Sequence, residues 1–101
     1  MHDLNGYQRD LLFAIAGNGG ASGLTIKAEL DEYYGEELNH GRHYPNLDEL
    51  VDEGLVEKGR IDDRTNSYTL TARGRREIDA RMEWQRSLAE TYGDVEVAVD
   101  A

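Results

Sequence analysis

Asn39-His40-Gly41-Arg42-His43-Tyr44-Pro45-Asn46-Leu47-Asp48-Glu49-Leu50-Val51-Asp52-Glu53-Gly54-Leu55-Val56 reads as a helix that passes straight into a β-hairpin. Tyr44, Leu47, Leu50 and Val51 recur at i, i+3, i+6 and i+7, one stripe of a 3.6-residue period, and this stripe is expected to be buried. His40, Arg42, His43 and Asn46 are left near the helix start, facing the other way. Gly54 supplies the left-handed residue on which helices commonly end. The chain runs on through Glu57 to Ile61, a polar turn Asp62-Asp63-Arg64-Thr65-Asn66, and Ser67-Tyr68-Thr69-Leu70. That is the composition of two strands joined by a turn, with Lys58, Arg60 and Arg64 placed around it. A donor-rich helix start beside a basic hairpin is the arrangement of a winged helix-turn-helix, so the expected fold is mainly α with a small β-hairpin (α+β).

Upstream, Asn5 and Gln8 form a capping-box start for a first helix with an apolar face of Tyr7, Leu11, Leu12 and Ile15, ended by Gly17-Asn18-Gly19-Gly20. Ser22 caps a second helix carrying Ile26, Leu30 and Tyr33, broken by Gly35. The second and third helices are the two limbs of a helix-turn-helix. Pro45 is expected within or just after the first turn of the third helix, because deeper in a helix it would remove a hydrogen bond. Downstream, Thr71 caps a long last helix running to about Tyr92. Ile78, Met82, Gln85, Ala89 and Tyr92 repeat along it at spacings of 4, 3, 4 and 3, with Trp84 and Leu88 as an adjacent shoulder. This coiled-coil-like seam either packs on the first helix or overhangs the small body and meets a second copy. The expected organisation is residues 1–71 as a winged helix-turn-helix, 72–92 as a dimerisation helix, and 93–101 as a disordered acidic tail.

The 101 residues hold 21 acidic and 11 basic side chains, a net charge of -10. Its distribution matters more than the sum: residues 1–57 carry -9, residues 58–81 carry +3, and residues 82–101 carry -4. Positive charge is therefore gathered on the hairpin and the helix after it. Only 2 of the 11 basic residues are lysine, and acids are scattered over every element, a surface like that of halophilic archaeal proteins in a salty cytoplasm. The absence of cysteine excludes disulfides and thiolate zinc sites. No apolar run approaches the ~18 residues of a membrane span, and no basic-then-apolar leader opens the chain. A cytoplasmic protein without membrane contact is expected.

Gly41-Arg42-His43-Tyr44-Pro45-Asn46-Leu47-Asp48-Glu49-Leu50, then Gly54-Leu55-Val56, resembles the recognition-helix signature of the PadR family of transcriptional regulators. Tyr68-Thr69-Leu70-Thr71 with Arg73-Gly74 resembles that family's passage from wing to last helix. The resemblance covers roughly residues 7–90. It implies a homodimer, made by the last helix, that binds double-stranded DNA at a pseudo-palindromic site. His40, Arg42, His43 and Asn46 are the expected groove contacts, one of the two histidines being half-buried instead. Arg42 and Asn46, four apart, are the expected base readers. Lys58, Arg60, Arg64, Thr65 and Asn66 of the wing and Arg73, Arg75 and Arg76 of the last helix are the expected backbone contacts. Cations at a helix start oppose the macrodipole, which asks for a reason such as phosphate; pairing of Arg73 with Glu77 and of Arg75 with Asp79 is the alternative. The expected dimer seam is Ile78, Met82, Trp84, Gln85, Leu88, Ala89 and Tyr92. The competing reading is a winged-helix protein-interaction module without DNA binding, which the acidic surface favours and the basic wing opposes.

No catalytic constellation can be assembled, and no enzyme is expected. His40 and His43 lack a third ligand and have Arg42 between them, so no metal is expected. Asp62-Asp63 lacks the glycine and distal glutamate of a calcium loop, and Asn18-Gly19-Gly20 lacks the lysine of a phosphate-cradling loop. The reading calls for no cofactor, and nothing in it names a small-molecule effector.

Overall fold

The computed structural model describes residues 1–93. In chain order the elements are α1 (Gly6–Gly17), β1 (Ala21–Ser22), α2 (Gly23–Tyr34), α3 (His40–Asp52), β2 (Val56–Asp62), β3 (Thr65–Leu70) and α4 (Ala72–Tyr92). The strands form one antiparallel sheet in the order β1-β3-β2. This is the expected winged helix-turn-helix, mainly α with a β wing. The strand β1, only two residues long, has no counterpart in the sequence reading. The expected tail at 93–101 lies, Gly93 apart, outside the described residues.

Local chemistry sets the element ends. Asn5 accepts from the Gln8 amide at 2.8 Å and the Gln8 side chain accepts from the Asn5 amide at 3.1 Å, which closes the capping box of α1. Ser22 caps α2, Asn39 caps α3 and Thr71 caps α4 through their side chains. α3 ends in a Schellman turn: Gly54 stands at φ 76°, its amide bonded to the Val51 carbonyl and the Leu55 amide to the Leu50 carbonyl. Pro45 lies deeper than expected, sixth in α3. The carbonyl it leaves without an amide partner belongs to Gly41, an exposed residue, so the loss leaves no buried polar group.

Leu11, Leu12 and Ile15 of α1, Ile26 and Leu30 of α2, Leu47 and Leu50 of α3, and Tyr68 of β3 form one core. Three expectations are corrected by it. On α3 the buried line is His43, Leu47 and Leu50, with Tyr44 and Val51 as half-buried shoulders. His43 therefore does not face outward. On α2, Tyr33 is 77% exposed and Tyr34 turns inward to bond Asp10, so the buried edge advances by four residues, Ile26, Leu30, Tyr34. On α4, Ile78 is buried in the chain's own core and is not free to meet a second copy.

The junction of α3, β2 and α4 is tied by the first turn of α4. Thr71 donates its hydroxyl to the Gly54 carbonyl at 2.6 Å, and its amide bonds the Leu55 carbonyl at 3.1 Å. Arg73 donates to the Glu53 carbonyl at 2.8 Å, a cation on the C-terminal end of α3. Gly74 is buried against this turn. The direction of α4 is thereby set relative to α3.

Candidate nucleic-acid interface

The exposed start of α3, the β2–β3 wing and the start of α2 converge on one side of the molecule. Within the wing, Lys58 lies opposite Tyr68 and Arg60 opposite Asn66. Residues paired in this way share a face of the sheet. Lys58 reaches Asp48 of α3 at 3.7 Å, so this cation-bearing face is the one turned toward α3. Arg64 stands at the wing tip, where the Asp62 carboxylate accepts its amide at 2.9 Å. That bond holds the Asp62 carboxyl below its ordinary range. Lys58, Arg60, Arg64 and Asn66 are exposed and Thr65 is half-buried. Among the described residues Arg60, Arg64 and Arg76 make no ion pair, whereas Arg75 lies 3.9 Å from Asp79. Glu77 is not paired with Arg73; it accepts from the Met1 amino group at 2.8 Å.

The helix residues fall out differently. His40 is exposed, with its ring stacked on Tyr44 at 6.2 Å. The Arg42 guanidinium lies 5.1 Å above the Tyr7 ring. Asn46 is turned toward α1: its amide donates to the Arg42 carbonyl at 2.8 Å, and its oxygen accepts from Gln8 at 3.0 Å. The expected pair of base readers thus sits on the flank of α3 that faces α1, with the Asn46 amide engaged at both ends. Glu49 lies on that flank too, accepting from Gln8 at 2.6 Å, and the outer face of α3 carries instead Gly41, Pro45, Asp48 and Asp52, all exposed.

His43 is 0% exposed. Its Nδ1 lies 2.6 Å from the Tyr7 hydroxyl and its Nε2 lies 2.8 Å from the Gly23 carbonyl. A carbonyl only accepts, so Nε2 carries the proton and Nδ1 accepts from tyrosine: neutral imidazole satisfies both partners. Burial drives the His43 pKa below its ordinary value, the Lys27 and His40 charges adding to this and the Gly23 bond and Asp31 opposing it. Burial likewise pushes the Tyr7 hydroxyl up to about 12, the Asp31 carboxylate adding to it and Arg42 opposing it. A histidine whose folded pKa is depressed resists a proton that the unfolded chain accepts. Its contribution to stability is intact above the unfolded value near 6.5 and declines as pH falls below it. Thermal melts between pH 7.5 and 5 should therefore show a falling Tm, and His43→Gln should have a lower Tm but a flatter profile. Equal slopes for the two proteins would show that His43 does not link folding to protonation.

Sequence reasoning missed Tyr44 as a surface element and gave Leu24 no role. Tyr44 falls on the apolar stripe of α3, yet its ring is half-buried, packed on Gly23 with one side open. A winged helix with a cation-bearing wing defines a DNA-binding protein of the helix-turn-helix class. Residues 12–80 match the PadR-like family of transcriptional regulators. Among solved structures, RosR of Halobacterium salinarum in the hsRosR-S1 complex is 51% identical over 85% of this chain and 76% of its own, with a TM-score of 0.80. H. salinarum RosR from crystals grown with NaBr is 52% identical over 84% and 76%, with a TM-score of 0.79. Streptococcus pneumoniae FabT in complex with DNA shares the fold alone, at 18% identity over 94% of this chain and 64% of its own, with a TM-score of 0.77. No curated protein matches the chain. The chain belongs to the PadR-like family: it is a transcriptional regulator, not an enzyme. The acidic, lysine-poor composition read as halophilic and archaeal fits the source of the RosR relatives. Among the described residues no helix is long and apolar enough to cross a membrane.

Proposed function

We propose that this regulator acts in the cytoplasm as a homodimer on a pseudo-palindromic duplex site. The observation that carries the dimer is α4 itself. Beyond Ile78 it presents Met82, Trp84, Leu88 and Tyr92 all exposed, Trp84 at 53% and Leu88 at 51%, while Arg81 and Gln85 still line a cavity with α1 and α2. A row of large apolar side chains on an overhanging helix marks an interaction surface, and Met82, Gln85, Ala89 and Tyr92 continue the stripe that buries Gly74 and Ile78 lower down. Two copies joined there present two α3 helices, and half-sites separated by about one helical turn of DNA match such a pair. Lys58, Arg60, Arg64 and Arg76 contact the phosphates, and Arg73 and Arg75 do so from side chains already held by Glu53 and Asp79.

Asp48 and Asp52 on the outer face of α3 make salt part of the mechanism. These carboxylates approach a polyanion, so cations are taken up beside them while the wing releases cations from the phosphates, and the two effects oppose each other. Titration of a labelled duplex, selected from a random pool, in molar potassium chloride and again at about 0.1 M tests this. Binding should persist in molar salt with a shallow dependence. An absence of binding at every salt concentration would instead leave a protein-interaction role.

A further inference from the structure

A notch of about 120 Å³ lies where α2, α3 and the wing meet, walled by Gly23, Leu24, Tyr44, Arg64, Thr65 and Asn66. Leu24, second residue of α2, is 60% exposed. A lone exposed leucine is ordinary on a protein surface, but this one stands beside a fixed aromatic ring. Gly23 lets Tyr44 approach so closely that a Cβ there would lie 2.7 Å from Tyr44 Cε1, which holds the ring as a rigid wall. The rim is cationic through Arg64 and polar through Thr65 and Asn66, and the Asp62 carboxylate holds the tip that carries Arg64. Leu24 and the Tyr44 ring are the apolar part of this lining, and Ser22, Arg64, Thr65 and Asn66 are the polar part, which suits a phosphate backbone.

Of the polar groups on α3 that could read bases, Asn46 bonds Arg42 and Gln8, Arg42 lies over Tyr7 and His43 is inside the core, while His40 is exposed and stacks on Tyr44. What α2, α3 and the wing hold out together is a notch whose apolar part is Leu24 and the Tyr44 ring. The one apolar group on the major-groove edges of DNA is the C5 methyl of thymine. We propose that Leu24, against the Tyr44 ring, takes a thymine methyl and so sets base preference at one position of each half-site. This rests on the DNA-binding reading given above.

Uracil in place of thymine removes that methyl and nothing else. In the duplex selected from a random pool, each thymine is replaced singly by uracil and affinity is measured by fluorescence anisotropy. One position per half-site should lose about fourfold, the fold-change for one buried methyl. Leu24→Ala should bind thymine and uracil duplexes alike at that position and keep its affinity for random duplex; circular dichroism checks that it folds. If uracil is tolerated everywhere while the selected duplex still outcompetes random DNA, or if the penalty persists undiminished in Leu24→Ala, the inference is overturned and the DNA-binding reading stands. If the selected duplex binds no better than random DNA, the sequence-specific reading itself falls, and this one with it.

Discussion

Gly74→Ala should unfold the protein or come close to it. A Cβ at Gly74 would fall well inside van der Waals contact of the Leu55 carbonyl oxygen, with the Leu55 carbon at 3.1 Å and Leu70 Cδ2 at 3.3 Å behind it. Neither obstacle can yield easily, because the Leu55 carbonyl already accepts the Thr71 amide and Thr71 in turn bonds the Gly54 carbonyl. Overpacking of this kind costs roughly 3 kcal/mol or more, which for a domain of this size lowers Tm by at least about 12 °C. Gly17→Ala is the control: nothing lies within 4 Å of the added Cβ. In a helix this change should be neutral or stabilise by up to about 1 kcal/mol. Thermal melts of the two variants decide the matter, and a Gly74→Ala protein within a few degrees of the parent would mean that the α3–α4 junction is looser than described.

Met82→Glu or Ala89→Glu should split the proposed dimer with little effect on the fold of each copy. Both residues lie on the exposed part of α4, Met82 at 43%, so the substitution disturbs no buried core residue inside one chain. Across a two-fold seam it places two carboxylates against each other in a setting that solvent screens poorly. Loss of the second half-site then removes the avidity of a linked pair, a factor of about a hundred or more in affinity for a two-site duplex. Sedimentation velocity should show monomers, and anisotropy should show the weakened binding. A dimer that survives both changes would move the interface off α4.

Much of this architecture was legible because it is decided locally. The Asn5–Gln8 box, the Ser22 and Thr71 caps and the Gly35 and Gly54 ends each depend on residues within a few positions of one another, and all occur as read. Features that depend on distant partners were not legible. His43 reads as an outward donor because nothing near it in the chain reveals Tyr7 or the Gly23 carbonyl, 36 and 20 residues away, which satisfy both ring nitrogens. The strand β1 exists through pairing with Tyr68 and Ser67, far along the chain. Asn46 is claimed by Gln8, 38 residues earlier. Ile78 shows the same limit on α4: a helical stripe records which side is apolar, but not which of its residues the chain's own core covers. Lys58, Arg60 and Arg64 are exposed around a turn that its own polar composition marks without distant information.

The most direct test of the dimeric reading is affinity as a function of half-site spacing. In the selected duplex the two half-sites are moved apart by inserting 5 base pairs, about half a helical turn, and binding is measured in molar potassium chloride. Two α3 helices held by a rigid α4 junction cannot follow a half-turn rotation, so affinity should fall to that of a duplex with one half-site. Undiminished affinity for the inserted duplex would contradict a homodimer that reads both half-sites at once.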